Sequence, residues 1–93
     1  MTGKQEPYTV EWASPAKRAL PRLPEKVATA AVEFIYGALS HNPQRVGRPL
    51  RFELEGAHSA HRGDYRVLYA IDEADRRVII LTIDHRADAY RPR

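Results

Sequence analysis

Residues 56–71, GAHSAHRGDYRVLYAI, constrain the fold more than any other stretch of the chain. Their pattern predicts two antiparallel strands joined by a tight turn at Gly63-Asp64, where glycine supplies the positive φ that two-residue hairpin loops require. The second strand is rich in β-branched, aromatic and aliphatic residues, which favour strands. Because strand residues alternate between two faces, one row of this strand suits a core, namely Val67, Tyr69 and Ile71.

Basic side chains surround the predicted turn. Arg66 belongs to the row opposite the core, and arginine is rarely buried unless it is paired. His58, His61 and Arg62 lie just before the turn, so the sequence predicts that imidazoles and guanidinium groups converge at one end of the hairpin. Guanidinium groups match the oxygens of a phosphate, which makes this end a candidate phosphate site.

The N-terminal part predicts one strand followed by two helices. Residues 8–12 alternate apolar and polar side chains, as a short strand does. Ser14-Pro15 predicts a helix start with Ser14 as the N-cap, and Pro21 predicts that this helix is short or kinked. Pro24 opens a second helix. The predicted buried stripe of that helix comprises Val27, Ala31, Phe34, Ile35, Ala38 and Leu39.

The rest of the chain predicts a loop and then strands. Residues 43–49 indicate a loop, and the alternation over residues 50–55 allows a strand before the hairpin. After a polar loop at residues 72–77, residues 78–83 are the most apolar run and predict a central strand buried on both faces. The order strand, helix, helix and three strands predicts an α+β fold, with two helices on one face of a small, mostly antiparallel sheet and the other face open.

Composition limits the classes of function. A chain of 93 residues predicts a single domain, residues 1–93, with a modest core. There is no cysteine, which excludes disulfides and thiolate chemistry, and the four histidines lack zinc-type spacing, so no metal or other cofactor is predicted. No apolar run could span a bilayer and no signal peptide is evident, which predicts a cytoplasmic protein without a membrane partner.

Six short motifs follow one another in a characteristic order within residues 8–91. They are LP at 23–24, HNP at 41–43, GRPLR at 47–51, LEG at 54–56, RGDYRVLY at 62–69 and DHRADAYR at 84–91. In this order the chain resembles the RelE/ParE superfamily of bacterial type II toxins, and is most similar to the RelE branch. The resemblance implies a ribosome-dependent endoribonuclease that cuts mRNA in the ribosomal A site and inhibits translation. It also implies a cognate antitoxin, RelB-like or of another type II family, as a partner beside the ribosome and mRNA.

Metal-free RNA cleavage defines which groups such a site needs. The ribose 2′-OH is the nucleophile, a base removes its proton, and an acid protonates the leaving 5′-oxygen. Cations stabilise the charge that develops on the phosphorane. The products are a 2′,3′-cyclic phosphate and a free 5′-OH, and no cofactor is required.

The resemblance implies roles for particular residues. Arg66 matches the family's arginine in the Tyr-Arg hairpin motif and would stabilise the phosphate, with Arg62 as a second candidate. His85 and Arg86 match the basic pair at the end of the last strand, and an imidazole with a pKa near 6.5 can donate a proton at neutral pH. Tyr90 matches the C-terminal tyrosine that would stack on a base or orient the 2′-OH. Three further arginines would bind ribosomal RNA backbone, namely Arg45, Arg48 and Arg51.

The general base is where this sequence departs from the RelE pattern, which has lysines on the strand before the hairpin turn. Here that strand has no lysine. Either His61 or His58 supplies the base, or phosphate electrostatics carry most of the rate. Alternation puts His58 and Arg62 on one face of the strand and His61 on the other, so that they meet in one site only if the strand is bulged.

Two other functions stay open, because a fold alone does not fix a function. One is a ParE-like toxin that poisons DNA gyrase by binding protein and cleaves nothing. The other is an inactive relative that binds antitoxin or DNA in autoregulation. Arg66, the basic pair and Tyr90 favour the nuclease, since a pure protein binder needs no proton donor or phosphate ligand. The absence of the lysine pair leaves the gyrase inhibitor as an alternative to the nuclease.

Overall fold

The protein is built on one five-stranded sheet. The structure is a computed structural model that describes residues 6–51 and 56–85. Its strands are β1 (Thr9–Trp12), β2 (Arg48–Pro49), β3 (Ala57–Arg62), β4 (Tyr65–Asp72) and β5 (Arg77–His85). They lie in the order β1-β5-β4-β3-β2, with β1 parallel to β5 and every other pair antiparallel. The strand predicted over residues 50–55 falls mostly on residues 52–55, which lie outside the described residues.

The central hairpin of β3 and β4 confirms the prediction made from its turn. Gly63 has a φ of 56°, in the region that glycine adopts without steric cost. The register pairs Arg62 with Tyr65 and His61 with Arg66, as a two-residue loop requires. The predicted core row of β4 is also confirmed, because Val67 and Tyr69 are fully buried and Ile71 packs against the core.

Two helical segments cover one face of the sheet. Helix α1 (Ser14–Ala19) continues into a 3₁₀ turn (Leu20–Arg22), and α2 (Glu25–Phe34) continues into a π-helical turn (Ile35–Leu39). The predicted interruption of the first helix at Pro21 is confirmed, since proline has no N–H to continue the α-helical ladder. The predicted N-cap is wrong by one residue. The carbonyl of Ala13, not of Ser14, accepts the first helical bond, from the N–H of Lys17 at 3.0 Å.

Two further predictions are corrected by the packing. Residues 43–49 are not a simple loop, because helix α3 (Pro43–Val46) forms there with the Asn42 carbonyl accepting bonds from Arg45 and Val46, and β2 follows. Ala38 is exposed instead of lying in the buried stripe of the second helix. The core side of that helix consists of Ala31, Ile35 and Leu39, with Val27 and Phe34 partly buried.

Strand β5 is buried on one face and half-buried on the other, so the predicted burial on both faces is wrong. Val78, Ile80 and Ile83 are buried against the helices, whereas Ile79 and Thr82 on the opposite face remain half-exposed. The α+β class and the covered and open faces are as predicted, with β2 and α3 as elements that the sequence pattern did not reveal. None of the helices within residues 6–51 and 56–85 is long and apolar enough to cross a membrane.

Gly47 lets the chain pass close to the core between α3 and β2. A Cβ at this position would collide with the hydroxyl of Tyr69 and would lie 2.8 Å from the carbonyl oxygen of Ser59. The Tyr69 hydroxyl is buried here and donates a 2.6 Å hydrogen bond to the carbonyl of Pro43. Glycine at position 47 therefore allows α3 and the end of the sheet to share one tightly packed contact.

Candidate functional site

The open face of the sheet carries an ion pair between Arg66 on β4 and Asp84 on β5. Nη2 of Arg66 donates a 2.7 Å hydrogen bond to Oδ2 of Asp84. A bulge in β5 makes the pair possible, because the register leaves Leu81 without a partner in β4. Ile80 faces the helices before the bulge and Ile83 faces them after it, so Asp84 turns to the open face. Bulges commonly re-aim a side chain in this way.

His61 lies beside this pair on the same face. It is the direct cross-strand partner of Arg66, and it is exposed. Side chains that are directly opposite one another have Cβ atoms about 4.5–5.5 Å apart. An imidazole and a guanidinium therefore stand side by side on the open face, which is the arrangement that phosphate binding and proton transfer require.

A pocket of about 370 Å³ lies beside His61 at the edge of the sheet formed by β2, where side chains from both faces meet. It is lined by Arg48 on β2, by Ser59 and His61 on β3, and by Arg62 at the end of β3. Arg48 pairs with Ser59 across the strands and is exposed. The basic character of the Arg66 site therefore extends across β3 to the edge of the sheet.

Arg62 does not join Arg66, although the two are close in sequence. Its register partner is the buried Tyr65, so it lies on the helix-covered side of the sheet. The guanidinium carbon sits 4.5 Å from the ring centroid of Phe34, a cation–π contact. Burial raises the pKa of Tyr65, and the positive charge of Arg62 opposes that rise.

His58 is separated from His61 in the same way. It stacks on Tyr69 with the ring centroids 5.4 Å apart, on the helix-covered side. Burial lowers the pKa of His58, and its Nδ1 atom is buried without a hydrogen-bond partner among the described residues. The predicted convergence of His58, His61 and Arg62 is therefore wrong, because β3 is regular and its alternation divides them between two faces.

His85 also lies on the face opposite Arg66. Its cross-strand partner is Tyr65, whose hydroxyl donates a 3.3 Å bond to the carbonyl of Ala30 on α2. His85 is half-exposed at the end of β5. The structure thus places Asp84 beside Arg66, whereas its neighbour His85 points to the other side. Arg86 and Tyr90, the remaining predicted catalytic residues, lie outside the described residues.

The three arginines predicted to bind RNA are all exposed, at or near the β2 edge. Arg45 is in the last turn of α3, Arg48 is on β2, and Arg51 follows that strand. Within residues 6–51 and 56–85, no carboxylate lies within ion-pair distance of these guanidinium groups. The described residues therefore leave the positive charge of these three arginines without a neutralising partner.

The opposite end of the open face carries a second cluster, which the sequence analysis did not single out. Arg77 on β5 binds Glu11 on β1 at 2.9 Å and Asp72 on β4 at 2.7 Å. The hydrogen bond from Arg77 holds the pKa of Asp72 below its usual value, and Asp72 in turn raises the pKa of Arg77. This arginine is neutralised by its partners and joins three strands, so its role is structural.

The sequence analysis did not single out Asp84 as a partner of Arg66, although the sequence contains a weak indication of it. It is the first charged residue after the apolar run of β5. Simple alternation with Val78 and Ile80 would place Asp84 on the helix-covered face, so only the bulge reveals its pairing with Arg66. In the described part of the chain no three His, Asp or Glu side chains are grouped to hold a metal ion.

Comparisons with known proteins find toxins that are similar to this chain over most of its length. The model of the family described as "ParE toxin of type II toxin-antitoxin system, parDE" matches residues 10–90. The chain is 56% identical over 85 residues to the toxin RelE of Mycobacterium tuberculosis, and the matched region covers 91% of this chain and 88% of that protein. It is 54% identical over 85 residues to the toxin RelG of the same organism, covering 91% and 98%.

Solved structures share the fold. The toxin–antitoxin complex RelBE2 from M. tuberculosis contains a chain that matches with a TM-score of 0.85 at 52% identity, covering 87% of this chain and 100% of that one. The archaeal RelE–RelB complex from Pyrococcus horikoshii matches with a TM-score of 0.67 at 25% identity, covering 87% and 97%. The isolated RelE toxin of E. coli matches with a TM-score of 0.69 at 11% identity, covering 84% of this chain and 83% of that one. At this identity the similarity shows the fold alone.

Proposed function

The chain belongs to the RelE/ParE superfamily of type II toxin–antitoxin toxins as a RelE-like member, and on that premise we propose that it is a ribosome-dependent endoribonuclease that cleaves mRNA in the A site. The observation that carries the proposal is the pairing of Arg66 and His61 on the open face. A phosphate ligand and a titratable imidazole lie side by side there, with Asp84 holding the arginine.

Arg66 is suited to bind the scissile phosphate. One of its five N–H donors is committed to Asp84, which leaves the others for phosphate oxygens. Its side chain is 41% exposed, so a substrate can reach it from the open face. In the reaction, the guanidinium stabilises the negative charge that grows on the phosphorane, and a fixed donor does so without reorganising at the moment of reaction.

His61 is the better of the two candidate bases. It shares the face of Arg66, whereas His58 is stacked on Tyr69 on the other side of the sheet. The imidazole of His61 takes the 2′-OH proton as the 2′-oxygen bonds to phosphorus. The bond to the 5′-oxygen breaks and leaves a 2′,3′-cyclic phosphate, and a proton donor completes the 5′-OH. The roles of Arg86 and Tyr90 in that last step stay predictions, and the separation of His85 from Arg66 argues against it as the donor.

The proposed partner is an antitoxin that covers the open face. Cationic residues lie there, including the exposed Arg48 and the half-buried Arg66. An acidic, partly disordered segment that folds onto such a surface gains charge complementarity and blocks RNA at the same time. The complexes RelBE2 and archaeal RelE–RelB are toxin–antitoxin complexes with the same toxin fold.

The test is 5′-end mapping of a reporter mRNA in a translation extract. Wild type should give discrete cuts within translated codons, and these should disappear when ribosomes are removed. Arg66→Ala should weaken the cuts by about 10²-fold, the usual effect of removing one donor that stabilises the transition state. Lys26→Ala, which removes an exposed charge on α2, is the matched control and should cleave as wild type does.

A ParE-like gyrase inhibitor is the second candidate, favoured by the family model whose description names parDE. Growth arrest with intact mRNA, together with loss of DNA supercoiling by gyrase in the presence of the protein, would establish it and refute the nuclease. The two readouts are independent, so one preparation of the protein decides between them.

A further inference from the structure

A groove of about 250 Å³ lies between the first helical segment and the end of β5. Here β1 pairs only with residues 77–80 of β5, and among the described strands none covers the rest of that edge. The groove is smaller than the roughly 300–1,000 Å³ of pockets for drug-sized ligands, so it suits one small group. Its polar walls include Arg18, Arg22, Thr82 and Asp84.

Two arginines of this groove carry positive charge that the described protein does not neutralise. Arg18 on α1 and Arg22 in the 3₁₀ turn are four residues apart, so both lie on the same side of the helical segment. Both are exposed, and no carboxylate within residues 6–51 and 56–85 lies at ion-pair distance from either. Asp84 is the one carboxylate in the groove lining, and it is already engaged by Arg66.

Asp84 also connects the groove to the site on the open face. Its carboxylate holds Arg66 at 2.7 Å and at the same time forms part of the groove wall. The groove and the Arg66 site therefore share one residue, Asp84, and an RNA strand bound at Arg66 could extend past this carboxylate to Arg18 and Arg22. A guanidinium is the side chain best matched to phosphate oxygens, and two of them on neighbouring turns can hold one group from both sides.

We propose that Arg18 and Arg22 bind a phosphodiester group of RNA in this groove, and so position the RNA that reaches Arg66. The inference rests on the proposed nuclease function and adds a second anchoring point to it. The phosphate belongs either to the mRNA next to the cleaved bond or to ribosomal RNA that lines the A site. The chemistry is the same in both cases, and the source is a question for experiment.

The experiment measures binding to ribosomes whose mRNA carries 2′-O-methyl ribose in the A-site codon, so that no cleavage can occur. Arg18→Gln/Arg22→Gln is compared with Lys17→Gln/Lys26→Gln, which removes the same charge from exposed positions outside the groove. Affinity is measured over a range of salt concentrations. The slope of log K against log salt should become shallower by about 0.7 for each phosphate that the variant no longer neutralises, and the lysine variant should keep the wild-type slope.

A second ribosome, whose mRNA ends before the A site, identifies the source of the phosphate. Loss of affinity on both ribosomes assigns the phosphate to ribosomal RNA, and loss only when the A site is filled assigns it to mRNA. An unchanged slope, or an equal change in the lysine variant, overturns the proposal. So does a groove variant that binds ribosomes normally and loses only its antitoxin, because the groove would then serve an acidic protein segment.

This design keeps the two proposals separate. If wild-type protein binds ribosomes and cuts mRNA while the groove variant does both equally well, the groove inference fails and the nuclease stands. If the wild-type protein binds neither ribosome, the proposed function is wrong, and the groove inference, which depends on it, is wrong as well. Urea unfolding of each variant confirms that the exposed substitutions leave the fold intact.

Discussion

Arg66 and Asp84 form a 2.7 Å ion pair across two neighbouring strands, with side chains that are 41% and 38% exposed. A pair exposed to this extent contributes at most about 1 kcal/mol to stability. The contact engages one nitrogen of the guanidinium group, Nη2, and leaves the other donors without a bond to Asp84. A small contribution to stability is therefore compatible with the positioning role that the proposed function gives to Asp84.

Replacing Asp84 by alanine should separate these two contributions. We expect the free energy of unfolding to change by less than about 1 kcal/mol, since the pair is exposed. The rate of mRNA cleavage should fall by about tenfold or more, because Arg66 loses the group that orients it and small misplacements are costly. Asp84→Asn keeps an acceptor for Arg66 and should retain most of the activity. A faster enzyme in the alanine variant would show that Asp84 restrains Arg66 and does not position it.

Gly47→Ala should destabilise the protein by about 1–3 kcal/mol, the usual cost of forcing an extra group into a packed contact. The added Cβ would meet the Tyr69 hydroxyl and the Ser59 carbonyl. Gly37→Ala is the matched control, because a Cβ there meets nothing within 4 Å. Since Gly37 lies in a helical turn, alanine should stabilise the protein by about 0.5–1 kcal/mol. Urea unfolding of both variants measures the difference, and equal midpoints would refute the close approach.

Tyr69→Phe should cost about 1–3 kcal/mol, because it leaves the buried Pro43 carbonyl without its 2.6 Å hydrogen bond. Burial raises the pKa of Tyr69 to about 12, so the hydroxyl is protonated and donates at every physiological pH. Tyr36→Phe removes the acceptor of an exposed hydrogen bond from Nε1 of Trp12, where water can replace the lost partner, so its stability should stay within about 0.5 kcal/mol of wild type. A Tyr69 variant as stable as the Tyr36 variant would mean that water replaces the missing donor.

His58 should make stability fall as the solution becomes acidic. Burial lowers its pKa in the folded protein, so the unfolded chain binds more protons between that lowered pKa and the ordinary value near 6.5. The free energy of unfolding therefore rises with pH across this window and is highest above it. His58→Phe, which keeps a ring against Tyr69, should flatten the curve in the window that lies below the ordinary histidine pKa near 6.5. The exposed His61→Gln serves as control, and an unchanged slope in His58→Phe would exclude His58 as the source.

The sequence was sufficient for the features that depend on local chemistry. Glycine at position 63 determined the hairpin, and strict alternation correctly assigned Arg66 to the open face and Val67 and Tyr69 to the core. The α+β class followed from the order of these patterns. Such features are predictable because they are decided by neighbours in the chain.

Features that depend on distant contacts could not be predicted. The bulge at Leu81 reverses the faces of the last residues of β5, and it alone puts Asp84 opposite Arg66. Nothing in the run of residues 78–83 marks where an extra residue is tolerated. The helix α3 depends likewise on a tertiary contact, the bond from Tyr69 to Pro43. The sequence therefore assigned Arg66 to the open face but did not reveal the carboxylate that pairs with it.

The parallel pairing of β1 with β5 has a consequence for synthesis of the chain. The ribosome makes β1 first among the described strands and β5 last, so β1 has no partner until residues 77–80 emerge. Contacts of such long sequence separation form late, after the local helices and hairpin. Asp84 follows those residues in the chain, so a nascent chain that stops short of β5 has neither β1 joined to the sheet nor the ion pair between Arg66 and Asp84.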